Sequence, residues 1–555
     1  MLGTSESISL RLEGTTLYKA LLSGGLTLTA FGLWKLVSFI VRIYTSPLRI
    51  LPGPKNKSWI YGNLKEIRKA DVSEMHEKWA EEYGKILVYK AFFCRDRLFT
   101  MDLKAINHIF THSMDYQKPA EARFNLTRLL GDGILVTEGE KHRQQRRVMN
   151  PSFGPSSIKD VTPIFFKKSL QLRDIWKSQF EGNLNSEQKI EVLSWLSRTT
   201  LDVIGLAGFD YHLDALSINQ EPNELNKAFS ILFSAEGNFN FLFVLQAFFP
   251  IFRMIPTKRE NEEKKAHKTM LRIGEHLITS RKKAVIGEID SAGEKDTSEL
   301  RGRDLLSALV RSNMDTELPD SQRMSDEDVL AQVPTFLVAG HETTSTETMW
   351  ALYSLSQHQD IQKRLREECL SVPTDTPSYD ELNGLPFLDA VVRETLRLHA
   401  AVPSTIRIAT KDDFIPVNEP YKDRYGNTHN GIKVRKGDGV LVPLLALNRS
   451  KAIWGEDATV FNPDRWSQIP EAAKDIPGVW GNIMTFLGGA RSCIGYRFAL
   501  AEMKALLFTL LRDFEFEPAV SPDQITKRSM IVTRPYLKDD KTKSQMPLMV
   551  RIHKA

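Results

Sequence analysis

The sequence predicts a single large, mainly α-helical domain with small β-sheets, carried behind an N-terminal transmembrane helix. Three observations lead there. Residues 20–41 form one apolar run long enough to cross a bilayer. Beyond residue 55 helical periodicity dominates, and the strand-like segments are short and scattered. No internal repeat and no low-complexity linker divides that remainder. Residues 1–50 therefore read as a membrane anchor and linker, and residues 51–555 as one folded domain.

The first element is ALLSGGLTLTAFGLWKLVSFIV, residues 20–41. As a helix it rises about 33 Å, close to the hydrocarbon thickness of a bilayer. Lys35 interrupts it, which is tolerable if the ammonium snorkels towards the interface. The run exceeds the core of a signal peptide, and no small-residue cleavage site follows. Arg42, Arg49, Lys55 and Lys57 come next, which puts the body on the cytosolic side of a single-pass anchor. LPGP, residues 51–54, is a stiff elbow expected to end the helix.

Within the body, strands are expected at KILVYKAFF (85–93), VLVPLLALN (440–448) and MPLMVRI (546–552). Helices are expected over 321–357, 377–400 and 495–512. Residues 283–303 are polar and charged, and read as a surface loop between two helices. The apolar stretch FNFLFVLQAFFPIFRMIP (239–256) reads equally as ordinary core and as a mobile lid dipping into a membrane.

Composition excludes some classes. Hydrophobic content of 42% and charged content of 26% are globular values and leave no room for extended disorder. A net charge of +5 gives no case for nucleic-acid binding. Cys94, Cys369 and Cys493 make no CxxC pair, so neither a disulfide framework nor a cysteine-built zinc or iron–sulfur cluster is expected. That usage suits a reducing compartment.

The chemistry centres on FLGGARSCIGYRFALAEMKALL, residues 486–507. A thiolate binds metal, and forms most readily beside positive charge and free backbone N–H groups. Arg491 precedes Cys493 by two residues, Gly489 and Gly495 permit close backbone approach, and a helix N-terminus follows. The register Phe486, Gly489, Arg491, Cys493, Gly495 resembles the haem-binding signature of the cytochrome P450 family.

Three further stretches are similar to that family. AGHETTS (339–345) looks like its oxygen-activating segment. Ser325 and Asp328 open that helix as a capping box, and Ala339–Gly340 leave a gap where a flat ligand or O2 can sit. Glu342 and Thr343 then offer an acid and a hydroxyl side by side, as proton delivery needs. A zinc-protease HExxH reading fails, because Ser345 stands where the second histidine belongs. Pro334 is expected to kink this helix or break one hydrogen bond. ETLR places Glu394 and Arg397 one turn apart, FNPDRW supplies Arg465, and together they resemble the family's Glu–Arg–Arg lock behind the cysteine. In GEKHRQQRRVMNPSF (139–153), His142 and Arg146 share a helical face. His142 stands where the family usually has tryptophan, and is expected to hydrogen-bond a haem carboxylate from that position. Arg407 in PSTIRIAT, with Arg146 and Arg491, is expected to grip the haem carboxylates. The rest of the 141–147 run reads as a solvated face that could dock an acidic redox partner.

The resemblance runs from the anchor to the hairpin around Ile531–Pro535, and is strongest to microsomal, fungal members of specialised metabolism. It implies the family's triangular, mainly helical fold and haem b with an axial thiolate from Cys493. The implied reaction is monooxygenation of a lipophilic small molecule, such as a terpenoid or other secondary metabolite. Nothing in the sequence binds flavin or NADPH, so the resemblance implies a separate NADPH-cytochrome P450 reductase, helped by cytochrome b5, at the endoplasmic reticulum membrane. Two rivals stay open: a haem-thiolate isomerase or dehydratase that needs no O2, and a non-catalytic haem-binding membrane partner. The intact Glu342–Thr343 pair speaks against the first, and intact Glu342, Thr343 and Cys493 against the second. Pocket walls are expected at 114–136, Phe233–Phe252, Val338–Ala339, Val402–Ile406 and Ile531–Val532.

Overall fold

A computed structural model describes residues 5–180, 186–217, 224, 228, 241–292, 305–314, 319, 323–529 and 532–554. The N-terminal helix runs from Ser5 to Tyr44. The stretch Leu22–Ile50, which takes in most of this helix and the turn after it, is long and apolar enough to cross a membrane, and its apolar window is not buried against the body. The Lys35 ammonium lies 5.1 Å from the Trp34 ring centre and 5.3 Å from that of Phe31. The helix stops before LPGP rather than at it. Ser46 caps a short turn at Pro47–Ile50, its hydroxyl accepting from Leu48 N–H at 3.3 Å. LPGP then lies along the first strand, where Val88 N–H donates to Pro52 O at 2.8 Å. Only glycine fits at 53, since a Cβ there would come 1.9 Å from Val88 O.

The strands are β1 (Ile86–Lys90), β2 (Asp96–Thr100), β3 (Tyr116–Gln117), β4 (Gln188–Glu191), β5 (Thr405–Ala409), β6 (Asp413–Lys422), β7 (Thr428–Val434), β8 (Gly439–Val442), β9 (Phe514–Pro518), β10 (Ile525–Ser529), β11 (Thr533–Leu537) and β12 (Pro547–Ile552). They make a five-stranded sheet in the order β1-β2-β8-β5-β3, a sheet β4-β12-β9, and the hairpins β6-β7 and β10-β11. Among the described residues, only the β2–β8 pairing is parallel.

Several boundaries differ from the sequence pattern, each for a local reason. The strand over 440–448 ends at Val442, because Pro443 lacks the N–H a strand needs, and Leu444–Asn448 coils into a helical turn. The strand over 85–93 ends at Lys90, and Phe93 takes a left-handed φ of 57°. The helix over 377–400 splits into Tyr379–Asn383 and Pro386–His399, with Pro386 starting the second piece. The helix Lys258–Ala292 takes in the first part of the 283–303 stretch, so that part is no loop; residues 293–303 lie outside the described residues. The apolar stretch at 239–256 divides between its two readings. Phe248 sets its ring edge-on to Phe92 and Phe93 at 5.5 Å, whereas Ile251 and Met254 are 72% and 82% exposed.

The central helix, Asp326–Gln357, is the axis of the domain. Ser325 caps it, accepting from Asp328 N–H at 3.1 Å, and it continues unbroken through Pro334. Nearly every side chain from Val329 to Ser356 is buried, as expected of a helix packed on all sides. Helix Val192–Phe209 lies against it, with Thr200 Oγ1 donating to His341 O at 3.0 Å. The helix after the cysteine, Tyr496–Asp513, packs on helix Pro155–Ser178 through ring pairs Phe165–Phe498 (4.8 Å) and Phe166–Phe508 (5.9 Å).

Candidate haem-thiolate site

The cysteine loop is shaped by backbone crowding. Cys493 N–H donates to Phe486 O at 2.8 Å, closing a tight loop. Gly489 has a φ of 66°, and a Cβ there would come 2.5 Å from Phe110 O. At Gly488, which sequence reasoning passed over, it would come 1.8 Å from Pro477 O. Gly495 differs from expectation: an added Cβ would sit 3.6 Å from Phe153, an ordinary contact with the protein. What Gly495 offers is its backbone N–H, hydrogen-bonded to the Cys493 sulfur. Phe486 is buried between Trp480 and Tyr496, with ring centres at 5.9 and 6.0 Å.

The three cysteines now separate. Cys369 is buried, and burial with Glu368 pushes its thiol up to about 12. Cys94 receives a hydrogen bond from Asn56 Nδ2 at 3.2 Å, far from any catalytic motif. Cys493 is exposed to open space. Burial of its surroundings still raises its thiol, against the Gly495 N–H and Arg146, so the protein alone does not favour the thiolate. A bound metal cation does, because a coordinating thiol is deprotonated outright. The donor set therefore fits a single metal–sulfur bond.

A cluster of cations forms the second half of the site. Arg491 donates to Thr137 O at 2.7 Å and is paired with the Glu138 carboxylate. Arg407 is buried and donates to Thr405 Oγ1 and Ile406 O at 2.5 and 2.9 Å. Lys118, which carried no sequence signal, joins them 3.8 Å from Glu138. Burial, then Arg407 and Arg491, push the Lys118 ammonium down to about 7. Burial, Arg491, Lys118 and Arg146 push His142 down to about 3, so it stands neutral. Nearby, Arg123 Nε is buried with no hydrogen-bond partner. Crowded cations holding one another's protons off call for anions, and two haem carboxylates fit that need. Arg146 departs from expectation: its guanidinium is committed to Ser492, donating to its carbonyl and, at 3.2 Å, to its Oγ. It serves the sulfur loop directly.

Facing this loop is the middle of the central helix. Phe153 bridges the two, stacking on Phe336 at 5.4 Å and lying beside Gly495. One turn beyond Phe336, Ala339 is open in an otherwise buried stretch. Gly340 is not part of that gap; it is small because a Cβ would meet Ile204 at 2.9 Å. Thr343 donates to Ala339 O at 2.8 Å. Glu342 is not a free acid beside it. Its carboxylate is paired with Arg534 of β11 and lies 3.2 Å from His341 Nε2. Burial would raise this carboxyl, but His341 and Arg534 overcome it and hold it at about 2.

The lock assembles behind the loop. Glu394 and Arg397 are fully buried and doubly hydrogen-bonded at 2.8 and 2.9 Å, with Arg465 Nε 3.3 Å from the same carboxylate. Trp466 Nε1 adds a bond at 3.1 Å. Arg397 also donates to Asn448 O at 2.8 Å, and Asn448 Oδ1 accepts from Met484 N–H at 2.9 Å. The ion cluster is thereby tied, through Asn448, to the segment leading to Phe486.

The comparisons agree with this geometry. The family model described as cytochrome P450 matches residues 52–539. The chain is 51% identical to cytochrome P450 monooxygenase 205 of Postia placenta, over 97% of this chain and 98% of that one. It is 48% identical to cytochrome P450 monooxygenase 128 of the same fungus, over 96% and 97%. It is 35% identical to cytochrome P450 monooxygenase claW of Ampulloclitocybe clavipes, over 94% and 96%. With the cysteine loop, the cation cluster and the buried lock in one fold, the chain belongs to the cytochrome P450 family of haem-thiolate monooxygenases.

Proposed function

We propose that the protein oxidises a lipophilic small molecule, of terpenoid or other secondary-metabolite type, at a haem held by Cys493. The observation that carries this reading is that Cys493 and Ala339, both exposed, belong to the two segments that Phe153 bridges, stacking on Phe336 and lying beside Gly495. The residues leading up to Ala339, Phe336 and Val338 among them, are apolar, which favours an apolar guest. Of the remaining expected walls, Ile531 and residues 233–240 lie outside the described residues.

When bound, the haem supplies the oxygen chemistry, and thiolate ligation favours O–O cleavage. The chain's own residues do the rest. Lys118, His142, Arg407 and Arg491 hold the carboxylates, while Gly495 N–H and Arg146 steady the sulfur. Thr343 presents a hydroxyl at the Ala339 opening, and Glu342, ion-paired with Arg534, holds a fixed negative charge beside it. Glu394, Arg397 and Arg465 keep the loop in place. Electrons come from a separate NADPH-dependent reductase, assisted by cytochrome b5, on the basic surface around Lys141 and Arg143. The apolar helix and the exposed Ile251 and Met254 suit an endoplasmic reticulum membrane with the body in the cytosol.

Co-expression with a reductase in a host making candidate terpenoids, under 18O2, tests this reading. The expected product carries one labelled oxygen. A rearranged product without label would instead support the isomerase or dehydratase alternative.

A further inference from the structure

Proton delivery to Thr343 needs a neighbouring group that still holds a proton at neutral pH, and Glu342 is held as a carboxylate. Another acid stands on the same face. Glu347 lies one turn beyond Thr343, a rise of about 6 Å. Helical side chains lean towards the N-terminus, so Glu347 leans towards Thr343. It is 5% exposed. Its Oε1 accepts the Ala401 N–H, and its Oε2 is buried with no hydrogen-bond partner.

A titratable cluster leads outward from it. Lys527 of β10 holds its ammonium 4.6 Å from the Trp350 ring centre and 3.3 Å from His399 Nδ1. His399 Nε2 is 2.9 Å from Ser354 Oγ, and its ring stacks on Trp350 at 4.9 Å. Lys527 is half-buried, and its backbone N–H meets the exposed Asp71 carboxylate at 3.4 Å, so the cluster reaches solvent. Arg449 and Glu77 also face Lys527, Arg397 and Arg449 face His399, and Arg534 stays engaged with Glu342.

We infer that Glu347 stores the proton passed through Thr343 during turnover, with Lys527 restoring it from the surface. This rests on Thr343 being the hydroxyl at the oxygen side. Glu347 Oε2–H gives its proton, across one bridging water, to Thr343 Oγ as that hydroxyl releases its own proton towards the reacting oxygen. The Glu347 carboxylate then takes a proton from the Lys527 ammonium, and neutral Lys527 regains one from solvent. One proton crosses per cycle and no electrons move in the relay. The charge states agree: burial raises Glu347 to about 8 against Ala401 N–H and Lys527, and burial with Arg449 lowers Lys527 to about 7.

Glu347→Gln keeps the acceptor for Ala401 N–H and removes the acid. The rate of product formation is expected to fall about a hundredfold, product formed per NADPH consumed is expected to fall with it, and the decline in coupling as pH rises through about 8 should vanish. If Thr343→Val uncouples the enzyme while Glu347→Gln matches wild type at every pH, this inference fails alone. If Thr343→Val stays coupled, the reading of Thr343 fails first and this inference with it. A readout independent of turnover is the infrared band of a protonated carboxyl. Burial also raises the Glu502 carboxyl, so the Glu347 component is the part of the band missing in Glu347→Gln; it should disappear as pH rises through about 8 and titrate at higher pH in Lys527→Met. A wild type with no such component at neutral pH overturns the proposal, even if Glu347→Gln does not fold.

Discussion

Arg534 on β11 is ion-paired with Glu342 in the middle of the central helix, across 192 positions of sequence. The pair joins the C-terminal hairpin to the helix segment that carries Thr343. It also sets the charge of the acid that the motif singles out.

Removing that arginine has a pH signature. Glu342 is held below its ordinary 4.5, at about 2, so its contribution to stability is full above pH 4.5 and lost as pH falls towards 2. In Arg534→Met, burial pulls the carboxyl upward with only His341 opposing. The variant should melt below wild type at neutral pH, and the gap should close on acidification. Melting curves between pH 2 and 7 check this; a gap that stays constant with pH would rule the ion pair out as its source.

Cys493→Ala should abolish the thiolate-type spectrum of the reduced, CO-bound protein, while Cys94→Ala and Cys369→Ala keep it. The physical ground is that Cys369 is sealed in the core and Cys94 lies away from the site. A thiolate spectrum surviving in Cys493→Ala would move the ligand elsewhere.

Glu394→Gln leaves Arg397 buried with the negative charge of Glu394 gone and only an amide oxygen in its place, and weakens the hold on Arg465. Breaking one side of a buried ion pair costs about 3–5 kcal/mol. Chemical denaturation should show a loss of that order, accompanied by poor haem retention, since the cluster braces the chain at Met484. Loss of stability with normal haem content would confine the cluster to general folding.

Gly489→Ala tests the loop by sterics alone. Its φ of 66° and the Phe110 carbonyl at 2.5 Å from a new Cβ leave no relaxed conformation. The left-handed backbone by itself costs about 1–2 kcal/mol. Most of the variant should accumulate without haem, as absorbance in the Soret region against protein content would show.

Much of this protein is legible because the information is local. The apolar run at 20–41, the Phe486–Gly489–Arg491–Cys493 register and the Glu394–Arg397 spacing each sit within a few turns of chain, where side-chain order maps directly onto geometry. Boundaries were less legible where one residue outweighed a pattern, as Pro443 and Pro386 did. Lys118 and Glu138 were missed because a lone cation and a lone acid carry no spacing signal; they matter only beside Arg407 and Arg491.

By itself, then, the sequence determined the apolar N-terminal helix, the helical body, the cysteine motif and the order of the pieces that surround it. Tertiary structure alone decided which acid is charged, what Arg146 holds, why Gly340 is small and how hard it is to ionise Cys493. The reason is physical. Motifs are read along the backbone, whereas desolvation and ion pairing depend on which distant segments close around a side chain, as β10 and β11 close around Glu347 and Glu342.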